Sequence, residues 1–402
     1  MTEVFTPTLS QMVMEMHESA TIKMAQMGRD LKAKGFDVIN LSLGEPDFDT
    51  PDHIKEAAKK ALDDGYTKYT PVPGIPELRQ AVVNKFKRDN NLEFAVNQIV
   101  VSNGAKQCIA NLALALLDPG DEVILFAPYW VSYSEIVKMA GGVPVEVYAG
   151  IEADFKVTPE QVAAAITPRT KAVLFSTPCN PTGSVFSRAE LEAIAEVIAP
   201  HEQIVVISDE IYEYINFTGS HFSIGAVPSL KDRTVTVNGF AKGFAMTGWR
   251  LGYMGGPKYI MDACSKIQGQ FTSGANAFGQ KAAVYALEAS LEPTFQMRDA
   301  FKQRRDLLTR LLGAVPGFKV NHPEGAFYIF SDISDFFGKT DGQITVNTGD
   351  DFSEFLLLNA HVATVGGDSF GAPQCFRISY AASEKDIRTA IERIAEAVKK
   401  LR

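Results

Sequence analysis

The sequence has few of the features that define membrane, disulfide-rich or metal-binding proteins. Its 402 residues include only four cysteines and six histidines, and both are scattered along the chain. No Cys-x-x-Cys or His-x-x-x-His pair occurs, so we expect neither a disulfide framework nor a metal site. No apolar run approaches the roughly 18 residues that a bilayer span requires, so we expect no membrane association.

The charge balance and the start of the chain exclude further classes. The net charge is −9, from 39 basic and 48 acidic residues, which disfavours nucleic acid or an anionic membrane as a partner. Anionic substrates would therefore need locally placed cations. The first residues lack a basic stretch followed by an apolar core, so we predict no signal peptide. Scattered cysteines in a long chain then predict a reduced, cytoplasmic protein.

Nucleotide-binding fingerprints are absent as well. The sequence contains no Gly-x-Gly-x-x-Gly stretch, which argues against a nicotinamide enzyme. Gly338-Lys339-Thr340 is similar to the end of a phosphate loop. However, Ile333 occupies the position where that loop requires its first glycine.

From about residue 50 onward the pattern alternates between helices and short apolar strands. Ser187 with Glu190 predicts a capping box at the start of one helix, and Thr50 with Pro51 predicts the start of another. The predicted strands are Ile99 to Val101, Val123 to Phe126, Ala172 to Phe175, Ile204 to Ile207 and Thr234 to Val237. Such strands between helices predict an α/β fold, with a mostly parallel sheet covered on both faces.

The pattern of predicted helices and strands changes after about residue 290. A long charged helical pattern from Met297 to Leu312 precedes shorter strand signals and a final helix from about Glu384. We therefore predict a large domain at residues 49–290 and a smaller α+β domain formed by residues 1–48 and 291–402. The polar stretch from Gly338 to Asp351 is predicted to be a surface loop.

Three motifs then point to one cofactor. Lys242 lies between small residues with Arg250 downstream, and Asp209-Glu210-Ile211-Tyr212 and Asn180-Pro181-Thr182-Gly183 lie upstream. A lysine that forms a Schiff base, an acid for a pyridine nitrogen and an arginine for a phosphate are what pyridoxal 5′-phosphate requires. Each motif alone has an ordinary interpretation, as an exposed lysine, a strand-end acid or a turn. Asn180, Asp209 and Lys242 each follow a predicted strand, where parallel sheets bind ligands, so we expect one shared site.

Together the motifs resemble the class I and II aminotransferases of fold type I, in particular the bacterial-type aspartate aminotransferases. The resemblance extends from Leu41–Phe48 to Phe376–Tyr380. It implies a homodimer with shared active sites. It also implies an enzyme that moves an amino group from an amino acid, aspartate first among them, to a 2-oxo acid such as 2-oxoglutarate by ping-pong kinetics.

The resemblance assigns catalytic and ring-binding roles. Lys242 would hold the cofactor and then shuttle a proton, and Asp209 would keep the ring nitrogen protonated. Asn180 and Tyr212 would hydrogen-bond the ring hydroxyl oxygen, while Trp130 would stack on the ring and border the substrate.

The cofactor phosphate is expected at a helix start. Gly104, Ala105 and Lys106 open an apparent helix whose backbone N–H groups can bind an anion, and Arg250 would add a charged contact. By resemblance, Tyr69 would reach the phosphate in the neighbouring subunit. The family often carries hydroxyl residues at two positions that hold Gly239 and Ala241 here.

Substrate recognition needs further cations. By resemblance, Arg377 binds the α-carboxylate with help from the Gly44 N–H and Asn180, since arginine suits bidentate contacts. Lys106 and Thr21 map onto residues that read a side-chain carboxylate in the bacterial subgroup.

Several alternatives stay open from the sequence alone. Aromatic or alanine donors and a β-lyase on the same scaffold fit the same motifs. Relatives that use prephenate tend to carry a basic residue just before the threonine, where this chain has His17-Glu18-Ser19-Ala20. A transcription regulator with an aminotransferase-like domain is disfavoured, because the N-terminal segment is short and not basic.

Overall fold

The computed structural model describes residues 9–16, 18 and 20–402. His17 and Ser19, which bear on prephenate use, lie outside the described residues. In the described part the helices are α1 (Gln11–Glu15), α2 (Ala20–Ala33), α3 (Asp52–Asp63), α4 (Pro76–Asn90), α5 (Ala105–Leu116), α6 (Ser132–Met139), α7 (Pro159–Ala165), α8 (Arg188–Ile198), α9 (Lys258–Phe271), α10 (Ala277–Glu288), α11 (Glu292–Gly313), α12 (Gly349–Ala360) and α13 (Glu384–Val398). The strands are β1 (Ile39–Asn40), β2 (Ile99–Ser102), β3 (Glu122–Ala127), β4 (Val143–Tyr148), β5 (Thr170–Ser176), β6 (Val205–Asp209), β7 (Thr234–Gly239), β8 (Gly252–Gly255), β9 (Tyr328–Asp332), β10 (Val362–Ala363), β11 (Val365–Gly366) and β12 (Cys375–Ser379).

A seven-stranded sheet forms the centre of the molecule, in the order β2-β8-β7-β6-β5-β3-β4. β8 runs antiparallel to both of its neighbours, and the other neighbouring pairs are parallel. Side chains alternate between two covered faces: Val123 and Leu125 pack in one core with α5, whereas Ile124 and Phe126 pack in another with α8. The predicted mostly parallel sheet with helices on both faces is therefore confirmed.

Two strands of this sheet escaped sequence reasoning for different reasons. β4 lies at the sheet edge, and Val147 is its only fully buried residue, so it has no continuous buried apolar run. β8 has the sequence Gly252-Tyr253-Met254-Gly255, and glycine weakens a strand signal.

Local capping agrees with prediction at one helix and differs at two places. The Ser187–Glu190 capping box at α8 is confirmed. At α3, however, Pro51 is the N-cap, and the Thr50 hydroxyl instead donates 2.6 Å to the carbonyl oxygen of Ala245. The predicted loop at 338–351 ends early, because Thr348 caps α12, which begins at Gly349.

The C-terminal third builds its own core around a three-stranded antiparallel sheet in the order β11-β12-β9. Phe301 of α11, Phe352 of α12 and Ile387 of α13 are fully buried together with residues of this sheet. β1 pairs with β10 in parallel, which ties the segment near residue 40 to the same region. No helix of the described residues is long and apolar enough to cross a membrane.

Candidate active site

A cavity of about 320 Å³ lies beyond the carboxyl ends of β5, β6 and β7. It brings together every predicted site residue except Tyr69: Thr21, Gly44, Gly104, Ala105, Lys106, Trp130, Asn180, Asp209, Tyr212, Lys242, Arg250 and Arg377. A larger cleft of about 580 Å³ beside it shares Lys106 but none of the other predicted residues. The predicted reactive and charged side chains therefore lie together in the smaller cavity, at the sheet edge where parallel strands bind ligands.

Lys242 follows β7 and points into this cavity. Its ammonium group donates to the carbonyl oxygen of Gly44. Removal from bulk water, and then repulsion by Arg377, lowers the pKa of Lys242 to about 8. A lysine with such a pKa is partly neutral near pH 7, which is the form that attacks a carbonyl carbon.

Asp209 ends β6 and is buried, 4% exposed. The Tyr133 hydroxyl donates 2.7 Å to its Oδ2, and the backbone N–H of Ile211 donates 3.2 Å to its Oδ1. Burial raises the pKa of Asp209 to about 6, although the Tyr133 hydrogen bond opposes that rise. Since both donors are neutral groups, the carboxylate is suited to pair with a cation placed in the cavity.

The start of α5 forms an open anion site beside Arg250. Gly104 precedes the helix with φ 87° and gives it no side-chain cap, so the first N–H groups face the cavity. The Arg250 guanidinium donates to two backbone carbonyls, Thr247 at 2.9 Å and Asn103 at 3.4 Å. A Cβ at Gly104 would lie 2.5 Å from Nη2 of Arg250, so only glycine permits this approach.

Close backbone packing under the same site explains the departure at Gly239. A Cβ on Gly239 would lie 3.0 Å from Cα of Gly252. A Cβ on Gly252 would in turn clash with the backbone nitrogen of Ala105. A hydroxyl side chain at position 239 would therefore push apart the strands that support the start of α5.

Arg377 on β12 supplies a buried cation. It donates 2.8 Å to Oδ1 of Asn180, 2.7 Å to the Ser42 carbonyl and 3.5 Å to the Thr21 hydroxyl. Its guanidinium carbon lies 4.4 Å from the ring centre of Tyr328. Among the described residues no acidic side chain bonds it, and its Nε has no hydrogen-bond partner. Burial lowers the pKa of Arg377, and a bound anion would compensate that cost.

Lys106 and Trp130 lie next to each other in the lining of the cavity. The Lys106 ammonium lies 4.8 Å from the ring centre of Trp130 and forms no ion pair with a described acid. Desolvation, and then the charge of Arg250, lowers the pKa of Lys106. Thr21 contacts Arg377 rather than Lys106. The two residues predicted to bind the side-chain carboxylate of the substrate therefore do not touch each other in the structure.

Sequence reasoning missed four polar residues of the cavity, which are Ser132, Tyr133, Ser176 and Tyr328. Tyr133 bonds Asp209, and the Tyr328 hydroxyl lies 2.8 Å from the Tyr212 hydroxyl. The buried hydroxyl of Ser176 lines the cavity without a hydrogen-bond partner in the described chain. Tyr133 lies in the first turn of α6, three residues after Trp130, but no motif marks Tyr328 or Ser176.

Tyr69 is the predicted residue that the structure does not bring to the cavity. Its side chain is 99% exposed. Within its own chain it therefore contributes nothing to the site described above.

The fold thus brings together in one cavity a lysine with a lowered pKa, an uncapped helix start beside an arginine, and a second, buried arginine. A family model described as aminotransferase class I and II matches residues 37–394, so the chain belongs to this family. Its members use pyridoxal phosphate, and this chain is a pyridoxal phosphate-dependent aminotransferase.

Known proteins similar to the chain cover nearly all of it. An aspartate/prephenate aminotransferase from Cereibacter sphaeroides is 47% identical over 389 residues, 96% of this chain and 97% of that protein. A bifunctional aspartate aminotransferase and glutamate/aspartate-prephenate aminotransferase from Petunia hybrida is 46% identical over 396 residues, 97% of this chain and 83% of that protein.

Solved structures agree. An aspartate aminotransferase from Rhizobium meliloti matches with a TM-score of 0.94 and 42% identity, covering 99% of this chain and 100% of that one. The aspartate aminotransferase of Thermus thermophilus, solved with maleate, matches with a TM-score of 0.92 and 45% identity, covering 98% and 100%.

The residues present fit the cofactor. The start of α5 has no side-chain cap and Arg250 contacts only backbone carbonyls, so both can receive a phosphate. Asp209 has only neutral donors and can receive a protonated ring nitrogen. Lys242 lies in the same cavity with a depressed pKa, as covalent attachment requires.

The pKa of Lys242 gives a direct prediction. In protein freed of cofactor, modification of Lys242 by trinitrobenzenesulfonate should rise with a midpoint near pH 8, because only the neutral amine reacts and its pKa is lowered to about 8. Peptide mass spectrometry measures the modified fraction, and the Lys242→Ala variant identifies the peptide. A midpoint near the ordinary lysine value of 10.5 would contradict the proposed environment of Lys242.

Proposed function

We propose that the protein transfers the amino group of aspartate to 2-oxoglutarate. The observation that carries the donor assignment is a second cation in the cavity: Lys106 adds to Arg377, and neither pairs with a described acid. A dicarboxylic amino acid can occupy both. The names of the relatives support this assignment, as does the maleate, itself a dicarboxylate, with which the Thermus thermophilus enzyme was solved.

The catalytic roles are assigned to separate residues of the chain. The bound cofactor supplies an electron sink for the bond broken at the substrate's Cα. Lys242 would hold the cofactor, and its amine, once the substrate frees it, would act as the base that takes the proton from the substrate's Cα and passes it to the cofactor. Asp209, held by Tyr133, keeps a positive charge on the ring nitrogen. Because Tyr133 and Ile211 fix both carboxylate oxygens, Asp209 is already oriented before the cofactor binds.

Binding and orientation fall to the remaining residues of the cavity. Arg377 holds the α-carboxylate, with the Gly44 N–H and Asn180 beside it. Tyr212 and Asn180 would bond the ring hydroxyl oxygen of the cofactor, and Trp130 would cover the ring face. The backbone N–H groups at the start of α5, at Gly104, Ala105 and Lys106, and the Arg250 guanidinium would hold the phosphate. The Lys106 ammonium is then available for a distal carboxylate. The excess of cations in the cavity favours dianionic substrates over neutral ones.

Prephenate is a second candidate acceptor. Both relatives described above, and three further similar proteins, carry it in their names. This chain has no lysine or arginine at positions 17–20, where relatives that use prephenate tend to carry a basic residue, so we rank prephenate below 2-oxoglutarate.

Removal of the second cation tests the donor assignment. Lys106→Ala should raise KM for aspartate by an amount equivalent to about 1–3 kcal/mol, the usual scale for a charged hydrogen bond. KM for alanine as donor should change much less, since alanine has no distal carboxylate. The measurement is steady-state kinetics with a panel of amino donors and 2-oxoglutarate.

The matched control is Lys138→Ala, because Lys138 lies in the neighbouring cleft and pairs with Glu135. It should leave the donor panel unchanged. An equal loss for all donors in Lys106→Ala would mean that Lys106 serves only the phosphate. A wild-type preference for aromatic or aliphatic donors over aspartate would overturn the donor assignment.

We further propose that two subunits share their active sites. Tyr69 is 99% exposed in its own chain, so its ring is free to enter a partner's site. The apolar residues of α1 lack cover as well: Met12, Val13 and Met14 are 43%, 45% and 69% exposed. Exposed apolar groups of this kind favour an interface.

We also propose that residues 49–290 form the cofactor-binding domain and that residues 1–48 and 291–402 form the smaller one. The seven-stranded sheet lies within the first range, and the three-stranded sheet lies within the second. Arg377 and Thr21 would then belong to the smaller domain, and Lys242 and Asp209 to the larger. Substrate binding would bridge the two.

Mixed dimers test the shared site. We expect that mixing Lys242→Ala subunits with Tyr69→Phe subunits restores wild-type cofactor affinity at one site per heterodimer. That site takes its lysine from the Tyr69→Phe subunit and its tyrosine from the Lys242→Ala subunit. Titration of the mixture with pyridoxal phosphate measures the recovery.

The control adds Arg377→Ala to the Tyr69→Phe subunit. The rebuilt site then lacks its carboxylate reader, so turnover should vanish while cofactor affinity stays restored. If the first mixture shows no recovery of affinity, Tyr69 does not act across an interface.

A further inference from the structure

A second group of charged side chains lies behind the turn that carries Asp209 and Tyr212. Glu210 and Glu213 follow these two residues in the chain, but they point away from the cavity and are buried. We define the buried charge cluster as Lys85, Asn90, Glu210, Glu213, His221 and Ser223. The mechanism described above uses none of its members.

The contacts of Glu213 come from α4. The Lys85 ammonium forms an ion pair with Glu213, and their side chains are 0% and 3% exposed. Lys85 also donates 2.6 Å to Oδ1 of Asn90. The amide nitrogen of Asn90 bridges the two acids, at 3.1 Å from Oε2 of Glu210 and 2.8 Å from Oε2 of Glu213.

Glu210 receives three further contacts from other segments. His221 Nε2 lies 2.8 Å from its Oε2, and the Ser223 hydroxyl donates 2.5 Å to the same atom. The hydroxyl of Ser208, on β6 directly before Asp209, donates 2.9 Å to Oε1. The carboxylate therefore links α4, the end of β6 and the segment at 221–223.

The charges of this cluster balance only if His221 is protonated. Two carboxylates face one ammonium, and an unpaired charge buried at this depth is costly. The ligating atoms of Glu210, Glu213 and His221 lie within 4.8 Å of one another, close enough for a metal ion. However, Lys85 and Asn90 already donate into the space between the carboxylates, so the protein itself supplies the positive charge.

We propose that protonated His221 completes the charge balance of the buried charge cluster and that the cluster is a positioning unit for Asp209 and Tyr212. Neither Glu210 nor His221 touches the cavity, so both act through the turn. The proposal goes beyond the donor assignment, since it concerns how the turn is held.

The electrostatics of the described neighbours agree with this proposal. Burial opposes charge on His221, but attraction and hydrogen bonding by Glu210 outweigh it and raise the pKa of His221. Glu213 adds to that rise and Lys85 opposes it. Asp209 faces Glu210 from the other side, and repulsion by Glu210 adds to the raised pKa of Asp209.

Charge compensation between two variants tests the proposal. His221→Gln keeps an N–H donor at the position of Nε2 but leaves one negative charge unbalanced. We expect turnover at pH 7 to fall roughly tenfold, within the range for coupled neighbours, with KM for aspartate unchanged. Glu210→Gln added to His221→Gln leaves the neutral Lys85–Glu213 pair and should restore most of that loss. His322→Gln, at an exposed histidine, is the control and should behave as wild type.

A stability arm makes the test independent of the donor. Because the pKa of His221 is raised in the fold, its stabilisation is complete below the ordinary value of 6.5 and is lost as pH rises through the raised value. The difference in Tm between wild type and His221→Gln should therefore be largest below pH 6.5 and shrink as the pH rises above that value. In the Glu210→Gln background the gap should be small at every pH.

Three outcomes would overturn the proposal. The losses of the two single variants could add in the double variant, as they do for ordinary packing. The difference in Tm between wild type and His221→Gln could stay constant with pH. The double variant could fail to fold although Glu210→Gln folds. If His221→Gln alone fails to fold, recovery of folding in the double variant supports the proposal. A different preferred donor would leave the Tm result intact.

Discussion

An excess of positive charge at one edge of a parallel sheet is the constraint on which the rest of the site depends. Lys106, Lys242, Arg250 and Arg377 line one cavity, and among the described residues of its lining Asp209 is the single acid. The pKa values of Lys106, Lys242 and Arg377 are all lowered, in each case by desolvation first. A bound anionic cofactor and an anionic substrate would offset this desolvation cost. A chain of net charge −9 can therefore bind anions, because its cations are concentrated in this cavity.

The fold keeps that charge in place with rigid backbone rather than with counter-ions. The glycines at 104, 239 and 252 let β7, β8 and the start of α5 approach closely, so backbone N–H groups reach the phosphate position. Tyr133 and the N–H of Ile211 fix the one carboxylate of the cavity without neutralising it. Behind the same turn, the buried charge cluster balances its own charges and so does not compete for the cations of the site.

The sequence predicted those strands and site residues that local sequence patterns encode. The central strands at 99–102, 122–127, 170–176, 205–209 and 234–239 were predictable because each is a buried apolar run bounded by turns. Twelve of the predicted residues line the cavity. Most of them occur in motifs, whereas Thr21 was expected from the family resemblance alone. Tyr133 and Tyr328 were not, since hydroxyl contacts with Asp209 and Tyr212 arise from tertiary packing alone.

Long-range competition explains the other differences. Thr50 was expected to cap α3, but its hydroxyl instead donates a hydrogen bond to the carbonyl oxygen of Ala245, which is distant in sequence. Glu210, Glu213 and His221 look like ordinary polar residues in the chain and become a buried network only when α4 packs behind β6. Pairing of this kind has no periodicity and no motif, so it is visible only in the structure.

The central claim is that this cavity carries out two separate half-reactions. Mixing the cofactor-loaded protein with excess aspartate, in the absence of any 2-oxo acid, tests it most directly. The account predicts that about one molecule of oxaloacetate forms per subunit. No more should form until 2-oxoglutarate is added, because the amino group stays on the cofactor until an acceptor is present. Oxaloacetate that forms only when both substrates are present, or pyruvate and ammonia released from cysteine-like donors, would contradict it.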